Sequence, residues 1–539
     1  MLTAAIPLAV LVVLAIVVRA VALGDGQLYR DEAASWLLAN HSIGDLLALS
    51  SHETFPPLYV LMLKGWMTVF GSSEAGLRSL SVAAGAATVL VTWRWARDAA
   101  GRGEALIAAA LVALSPGLVI TSREARMYSL EALFATGAWW LLWLLVARAT
   151  EWSGVRRRVA AIGLVFCVAG EVWTMSLGIP TAGLQLGFAL AALLWLRTRV
   201  SATAAGCVVV GGLTLAPWLP NLLSVALNGQ PFWTPRPGLQ AIGATLGVWF
   251  FGDPRSVFAA VVALAGVLAL IWLVAARRGT ETEPAIEARA LPRTERPRDD
   301  RLLALAIALG VSLVPVVWVY SQFHSIYVPR YLGAAFPPLA IVIGAGVVAV
   351  ARRLRLRFRT FGRLANGWLA ILLVLPIVSA MAVGAAYAVD DSRHDKGVEP
   401  GRQMAQRLAT LVHPGDAIVT LNAQTYFPLD YYLTETGVAR RLGVEIYDWV
   451  RPTTAFFTGY MDIDEAHRLD AARVAAAGWA GTVHLATGGV LWCVSLVNAD
   501  HEFANFSPLT SGQLRELVRI KVSSGDLNSQ IREASPSDP

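Results

Sequence analysis

The stretch Tyr29-Arg30-Asp31-Glu32-Ala33-Ala34-Ser35-Trp36 follows directly on the first apolar segment of the chain, residues 2–22. That segment is about the length needed to cross a hydrocarbon core of roughly 30 Å. Two adjacent carboxylates at the end of a membrane span are costly, and ionisable residues in such places usually serve a function. The structural alternative is that Asp31 caps a short interfacial helix over residues 33–40, with Glu32 near its first turn.

The composition indicates a polytopic membrane protein. Of the 539 residues, 56% are hydrophobic and 15% are charged, and the mean hydropathy is +0.55, which excludes a soluble protein of several domains. The formal charge of +6 does not indicate nucleic-acid binding, because the arginines cluster in short tracts between apolar segments. The three cysteines, Cys167, Cys207 and Cys493, lack zinc-binding spacing, and we expect no structural disulfide.

About eleven apolar segments are long enough to span a membrane as helices. They cover residues 2–22, 77–96, 104–120, 128–146, 160–173, 177–196, 202–222, 257–275, 302–320, 331–350 and 367–389. A cytoplasmic N-terminus places nearly all arginine tracts inside, as the positive-inside rule requires. The same topology places residues 24–73, 121–127, 228–255, 321–330 and everything after 390 on the outer face. The shorter apolar stretch 56–70 is expected to lie along the outer interface or to be re-entrant.

From residue 390 the composition becomes that of a soluble domain. Apolar runs at 417–421, 482–486 and 490–497 predict buried strands, and helices are predicted at 401–412 and 464–477. We therefore expect a transmembrane module over 1–389, which includes the first outer loop, and an outer α/β domain over 390–523. Residues 524–539 are expected to form a disordered tail.

Two outer connections carry arginines where the bias toward cytoplasmic arginines would not place them. One contains Arg123, Arg126 and Tyr128, and the other contains Arg330 and Tyr331. A guanidinium matches phosphate oxygens with two parallel hydrogen bonds, so these arginines suit an anionic ligand. The structural alternatives are pairing with the intervening glutamate or with lipid headgroups in the first connection, and an interfacial anchor in the second.

Several motifs occur in a characteristic order. They are Asp31-Glu32-Ala33, Phe55-Pro56-Pro57-Leu58-Tyr59, Phe70-Gly71, Arg78, Arg123-Glu124-Ala125-Arg126-Met127-Tyr128, Pro217-Trp218-Leu219-Pro220, Phe232-Trp233, and Pro329-Arg330-Tyr331-Leu332 with Pro337-Pro338. Over residues 1–388 the chain resembles the bacterial branch of family 39 glycosyltransferases. These have the glycosyltransferase C fold and are similar to protein O-mannosyltransferases and to the aminoarabinose transferase of lipid A. The outer domain, with Pro414-Gly415-Asp416 and Tyr431-Tyr432, resembles the extension that many of them carry.

The chain departs from this resemblance at two places. Where the branch commonly has His before the Pro-Pro pair, this chain has Phe55, with His52 and Glu53 nearby. Where relatives often have Tyr-Thr-His on the fifth span, it has Trp173-Thr174-Met175. An acceptor contact made by that last His therefore does not carry over.

The resemblance implies transfer of one sugar from a polyprenyl-phosphate donor to an envelope glycan, lipid or protein outside a bacterial plasma membrane. We expect Asp31 to accept the proton of the attacking hydroxyl, with inversion at the anomeric carbon. Glu32 would orient the site or help to bind a divalent cation, Mg²⁺ or Mn²⁺, and no other cofactor is expected. Arg123, Arg126 and Arg330 are candidates to stabilise the departing phosphate, Tyr128 and Tyr331 to position it, and His52, Glu53, Trp233 and His324 to contact substrate.

Two other classes of function remain open. A lipid or sugar transporter or flippase would be expected to carry ionisable groups near the middle of its spans, or broken helices in repeated halves. Most spans lack a central charge, no internal repeat is visible, and Glu131 and Glu171 lie near span ends. A scaffold that has lost catalysis is the third class, and the intact Asp31-Glu32 pair argues against it.

Overall fold

The computed structural model describes residues 2–148, 152–228, 234–253, 297–357, 365–393, 400–449, 467–486, 489–496, 514–521 and 528–534. The chain forms two compact units. The first comprises Met1–Val21, Ser81–Pro220 and Pro231–Asp390, and the second comprises Ala22–Leu80, Asn221–Gln230 and Asp391–Pro539. One boundary between the units falls after Asp390, and the first outer loop lies in the same unit as the C-terminal residues. The division into a transmembrane module and an outer domain stays a prediction.

Helices account for most of the chain before Asp390. They are α1 Leu2–Ala20, α2 Arg30–Asn40, α3 Ile43–Ser50, α4 Leu58–Phe70, α5 Glu74–Ala99, α6 Arg102–Leu114, α7 Pro116–Ser122, α8 Tyr128–Arg148, α9 Gly154–Thr174, α10 Gly178–Leu196, α11 Arg199–Leu213, α12 Leu219–Asn228, α13 Gln240–Phe251, α14 Pro297–Val311, α15 Leu313–Tyr320, α16 Phe336–Arg357 and α17 Ala365–Arg393. A 3-10 segment, Pro329–Ala335, precedes α16.

The apolar helices confirm a multi-pass membrane protein. Within the described residues, seven helical stretches are long and apolar enough to cross a membrane, or eight if the bent pair α6 and α7 forms one span. The predicted total of about eleven spans stays a prediction, because the segment 257–275 lies outside the described residues. Helix α9 ends at Thr174 and α10 begins at Gly178, close to the predicted boundary between the segments 160–173 and 177–196.

The bend of 56° between α6 and α7 has a local cause. Pro116 opens α7 and has no N–H to donate to the carbonyl of Val112, four residues earlier. Nη2 of Arg19 donates to that carbonyl over 3.1 Å, and Nη1 donates to the carbonyl of Ala113 over 2.7 Å. Because Arg19 is fully buried, these bonds satisfy a cation away from water and join α1 to α6.

In the second unit, α2 carries the acidic pair. The helix begins at Arg30 with Tyr29 as its N-cap, so Asp31 and Glu32 both lie in its first turn. The alternative in which Asp31 is the N-cap of a helix over 33–40 is therefore wrong. Nζ of Lys64, on α4, donates to two carbonyl oxygens at the C-terminal end of α2, 3.0 and 2.7 Å away. Both ends of this short helix are thus held by its own unit.

The C-terminal part of the second unit contains a mixed sheet, as the predicted α/β class requires. Its elements are α18 Gly401–Leu411, β1 Ala417–Thr420, α19 Ala423–Glu435, α20 Val438–Leu442, β2 Ile446–Trp449, β3 Arg468–Leu469, α21 Ala471–Thr482, β4 Leu491–Ser495, β5 Leu514–Lys521 and β6 Asn528–Ala534. The strand order is β3-β2-β1-β4-β6-β5. The first four strands in this order pair in parallel, and β6 pairs antiparallel with both β4 and β5.

Some of the elements predicted for the C-terminal residues form in the structure, and others do not. The strands predicted at 417–421 and 490–497 correspond to β1 and β4, and the helix predicted at 401–412 corresponds to α18. The strand predicted at 482–486 is wrong, because α21 ends at Thr482 and residues 483–486 form no strand. The disordered tail is wrong over Asn528–Ala534, which forms β6. The polar sequence of this segment does not predict a strand, because β6 forms through backbone pairing with β4 and β5.

Candidate functional site

Asp31 lies where a carboxylate is favoured electrostatically, in the first turn of α2 at the positive end of the helix dipole. Its Oδ1 accepts a hydrogen bond from Nε of Arg30 over 2.9 Å and lies 2.8 Å from Nη2 of the same guanidinium. The Asp31 side chain is 16% exposed. A partly exposed carboxylate of this kind is able to accept a proton from a bound alcohol.

Glu32 has a different environment from its neighbour. It is buried, and Arg78 donates to both of its oxygens, from Nε to Oε1 over 2.8 Å and from Nη2 to Oε2 over 2.7 Å. Two parallel charge-assisted bonds fix the carboxylate in one orientation. Among the described residues, no three His, Cys, Asp or Glu side chains form a group that could hold a metal ion.

Arg78 also organises the segment that precedes α2. Its Nη1 donates to the carbonyls of Leu23 and Gly26 over 2.9 and 2.8 Å, and its Nη2 donates to the carbonyl of Gln27 over 2.8 Å. One buried guanidinium therefore holds both Glu32 and the backbone before the helix. The sequence includes Arg78 among the motifs but assigns it no role, since a lone arginine in an apolar helix shows no sign of its partner.

The first unit brings together four of the five predicted phosphate ligands: Arg126, Tyr128, Arg330 and Tyr331, here termed the Arg-Tyr cluster. The rings of Tyr128 and Tyr331 stack with centroids 5.4 Å apart. Cζ of Arg330 lies 5.6 Å from the Tyr128 centroid and 5.8 Å from the Tyr331 centroid. Arg126 and Arg330 are both close enough to Tyr128 to act on its hydroxyl electrostatically.

The hydroxyl of Tyr128 is the notable atom of this cluster. Tyr128 is 3% exposed, and among the described atoms its Oη has no hydrogen-bond partner. A buried hydroxyl without a partner costs free energy unless a ligand or water completes it. With two guanidinium groups beside it, the arrangement suits an anionic ligand that has several acceptor oxygens.

The connection that carries Arg330 is anchored to α13 and to the segment before it. The hydroxyl of Thr234 donates to the carbonyl of Ser325 over 2.7 Å, and the hydroxyls of Thr245 and Tyr327 lie 2.7 Å apart. Burial raises the pKa of Tyr327 to about 12, and its hydrogen bond with Thr245 opposes that shift. The hydroxyl therefore stays neutral at physiological pH, and these bonds fix the connection that leads to Arg330.

The fifth predicted phosphate ligand, Arg123, has a structural contact. It is 4% exposed, and its Nη1 donates to the carbonyls of Arg19 and Val21, 2.9 and 2.8 Å away. These carbonyls lie at the C-terminal end of α1, where helix carbonyls lack intrahelical partners. Arg123 therefore caps α1.

The predicted substrate contacts are more scattered. His324 is exposed and stacks on Tyr320 at 5.4 Å. His52 is exposed, whereas Glu53 is partly buried. Trp233 lies outside the described residues. Their contacts with substrate stay predictions.

Comparison with known proteins gives a partial family match and a strong structural one. The family described as dolichyl-phosphate-mannose-protein mannosyltransferase matches residues 54–223, whereas no curated protein matches the chain significantly. ArnT from Cupriavidus metallidurans in the apo state aligns over 98% of this chain and 99% of its own, with a TM-score of 0.61 and 14% identity. ArnT from the same organism bound to undecaprenyl phosphate aligns over the same shares of both chains, with a TM-score of 0.59 and 15% identity.

The chain has the glycosyltransferase C fold. The predicted fold class is confirmed, together with its C-terminal sheet. The region matched by the family model includes Arg78 and two members of the Arg-Tyr cluster, Arg126 and Tyr128. Asp31 and Arg330 lie on either side of the matched region.

Helices α8, α9 and α10 also contribute a buried polar group. Glu131 of α8, Glu171 of α9 and Gln185 of α10 are fully or almost fully buried, and Nε2 of Gln185 donates to Oε2 of Glu171 over 3.0 Å. Among the described atoms, Oε1 of each of the three side chains has no hydrogen-bond partner. The sequence gives no sign of this glutamate cluster, because its members come from three different helices.

Proposed function

We propose that this chain is a membrane glycosyltransferase that moves a single sugar from a polyprenyl-phosphate donor to a cell-envelope glycan, lipid or protein. The observation that carries the proposal is the Arg-Tyr cluster, in which Cζ of Arg330 lies 5.6 Å from the Tyr128 ring centroid and the buried hydroxyl of Tyr128 has no hydrogen-bond partner among the described atoms. The fold supports it, because the ArnT structure that shares this fold holds undecaprenyl phosphate. The partial match to the family described as dolichyl-phosphate-mannose-protein mannosyltransferase is consistent with the same class of donor.

A lipid-linked donor accounts for the architecture as well. The prenyl chain needs an apolar environment among membrane helices, and its phosphate needs cations near the interface. The Arg-Tyr cluster combines Arg126, which lies just before α8, with Arg330, at the start of the 3-10 segment before α16. Two elements distant in sequence thereby supply charge to one place.

We assign the chemical roles as follows. Asp31 accepts the proton of the acceptor hydroxyl as that oxygen attacks the anomeric carbon, and the configuration inverts. Arg126 and Arg330 stabilise the negative charge that develops on the departing polyprenyl phosphate, while Tyr128 and Tyr331 position it. Arg123 retains its capping role in this proposal.

Glu32 acts through orientation, because Arg78 holds both of its oxygens. A divalent cation at Glu32 would compete with that guanidinium and remains a separate hypothesis. Transfer activity measured after EDTA treatment and again after addition of Mg²⁺ or Mn²⁺ tests it. Contacts to substrate are also proposed for four further residues: His52, Glu53, Trp233 and His324. Alanine substitution of each, followed by comparison of KM for donor and acceptor, tests these contacts.

The direct test of the function is an assay of the purified chain in lipid nanodiscs. A set of polyprenyl phosphates, each carrying one labelled sugar, is offered together with envelope extracts as acceptor. Label should pass to the extract from at least one donor, and Tyr128→Phe should weaken binding of that donor. Absence of transfer from every donor by a folded chain would contradict the proposal.

We further propose a bacterial plasma membrane location with a cytoplasmic N-terminus and an outer C-terminal domain. The distribution of arginine tracts along the chain supports this orientation. Alkaline phosphatase fused after the C-terminus should be active, because it needs an oxidising compartment to form its disulfides. The same fusion in the arginine-rich tract after α16 should be inactive, and the reverse result would invert the topology.

The glutamate cluster favours one second candidate, a lipid or sugar transporter or flippase without transferase activity. Buried ionisable side chains in membrane helices often mark a transport path. Reconstitution in vesicles separates the two functions, since a transporter changes the side on which an intact donor is found without forming product. Loss of that movement in Glu171→Gln, with no transfer by the unaltered chain, would establish the second candidate.

A further inference from the structure

We infer that Tyr432, on the C-terminal domain, is a positioning residue for Asp31, an inference that rests on the proposed function. The second unit contains both the first outer loop and the C-terminal domain, so their mutual contacts lie within one compact body. Among these contacts, Tyr432 bonds the backbone three residues before Asp31.

The hydroxyl of Tyr432 accepts a hydrogen bond from the backbone N–H of Leu28 over 2.7 Å. Leu28 is fully buried and stands three residues before Asp31. A buried backbone N–H requires a partner, and the hydroxyl of Tyr432 supplies it. The position of this hydroxyl therefore determines where the chain must pass just before α2 begins.

The neighbouring backbone groups are held from a different direction. Arg78 binds the carbonyls of Gly26 and Gln27, each over 2.8 Å. The N–H of Leu28 is bound instead by Tyr432, 404 positions later in the chain. Correct placement of α2 thus combines a guanidinium from α5 with a hydroxyl from α19.

Other contacts keep α19 in place against the loop. The ring of Tyr431 meets the ring of Trp36 edge-on, with centroids 5.1 Å apart, and its hydroxyl donates to the carbonyl of Ser72 over 3.0 Å. Because Trp36 belongs to α2, the same domain contacts the acidic helix and the segment before it. The contact surface between α19 and the first outer loop therefore extends from Leu28 through Trp36 to Ser72.

Arg402 strengthens the same surface. Its backbone N–H donates to Oε1 of Gln27 over 2.9 Å, its guanidinium pairs with Glu74 at 2.8 Å, and Cζ lies 5.6 Å from the Tyr432 ring centroid. Burial raises the pKa of Tyr432. The hydroxyl therefore stays protonated and remains a neutral acceptor for the N–H of Leu28 throughout the physiological range.

The test uses the full chain and two matched substitutions. Tyr432→Phe removes the hydroxyl and keeps the ring. Tyr447→Phe is the control, since it makes the same change in the same domain at a hydroxyl that bonds Glu445 and His484. We expect Tyr432→Phe to lower kcat on the order of 10- to 100-fold, as a small misplacement of a reacting group does, while donor KM changes less than about twofold.

Hydrogen exchange gives a readout that does not depend on the reaction. Backbone exchange over residues 25–36 should be faster in Tyr432→Phe and unchanged in Tyr447→Phe. An unaltered kcat, or an unaltered exchange rate over 25–36, would overturn the positioning role. An unaltered chain that transfers no sugar from any donor would instead overturn the proposed function, and with it any catalytic meaning of this contact.

A second variant applies if Tyr432→Phe does not fold. Gln27→Met removes the bond from the backbone of Arg402 and leaves Tyr432 intact. It should also lower kcat and speed exchange over 25–36, though by less, because the N–H of Leu28 keeps its partner. Kinetics and exchange identical to those of the unaltered chain would argue against positioning by the domain.

Discussion

Arg78 and Glu32 form a buried, bidentate ion pair, with nitrogen–oxygen distances of 2.8 and 2.7 Å and side chains that are 7% and 1% exposed. Glu32 lies beside Asp31 in sequence, and the pair holds α2 from within the second unit. Replacement of one partner would leave the other charge buried and uncompensated, which typically costs about 3–5 kcal/mol.

Arg78→Leu should therefore lower the free energy of unfolding by about 3–5 kcal/mol, measured by thermal or denaturant unfolding in detergent. Arg94→Leu is the matched control, because the pair of Arg94 with Asp98 is partly exposed, at 42% and 19%, and spans 3.3 Å. Exposed pairs contribute less than about 1 kcal/mol. Equal effects of the two substitutions would show that the buried pair has no special role.

Tyr128→Phe should weaken binding of the polyprenyl-phosphate donor about tenfold or more, since a hydrogen bond to a charged group contributes about 1.5–3 kcal/mol. Stability should hardly change, because the hydroxyl has no partner among the described atoms. Tyr327→Phe should instead lower stability and leave donor affinity unchanged, since its hydroxyl bonds Thr245. Donor titration and thermal unfolding of both variants check this, and a donor affinity unchanged by Tyr128→Phe would remove that residue from the site.

Arg330→Ala and Arg123→Ala form a second pair with contrasting outcomes. Arg330→Ala should abolish measurable donor binding and leave the fold intact, because the side chain faces the Tyr128 and Tyr331 rings. Arg123→Ala should lower thermal stability and leave donor affinity nearly unchanged, because Arg123 caps α1. Loss of affinity in Arg123→Ala at normal stability would return that arginine to the phosphate site.

Cys493 should report the integrity of the C-terminal sheet. It is fully buried in β4, and burial raises its pKa to about 12 because the thiolate is not solvated there. Above an ordinary thiol pKa of about 8.5, the unfolded chain releases this proton while the folded chain keeps it, so the contribution to stability falls as the pH rises from there toward 12.

In a chain with Cys167→Ala and Cys207→Ala, maleimide should label Cys493 slowly at pH 8 and rapidly in denaturant. Rapid labelling of the native chain would show that the sheet is not closed around this residue.

Part of the candidate site can be predicted from sequence. Asp31 and Glu32 stand out because carboxylates are costly beside an apolar span, and Arg126 and Arg330 stand out because arginines are unusual on the outer side. Each of these features belongs to a single residue and needs no partner. They therefore indicate members of the Arg-Tyr cluster, but they also indicate Arg123, whose capping contact depends on where α1 ends.

The contacts that were missed are long-range. Arg78 and Glu32 are 46 residues apart, and Tyr432 and Leu28 are 404 residues apart. No local periodicity encodes such pairs. Strand β6 was missed for a related reason, since its pairing uses backbone groups that every sequence possesses.

The most direct test of the central claim, that Asp31 deprotonates the acceptor, is the rate of sugar transfer by Asp31→Asn under donor saturation. Asp45→Asn serves as control, because it makes the same change at an exposed aspartate of the same loop. We predict a kcat on the order of 10² to 10⁴-fold lower for Asp31→Asn, with donor affinity retained, and a normal kcat for Asp45→Asn. A kcat for Asp31→Asn close to that of the unaltered chain would contradict the account.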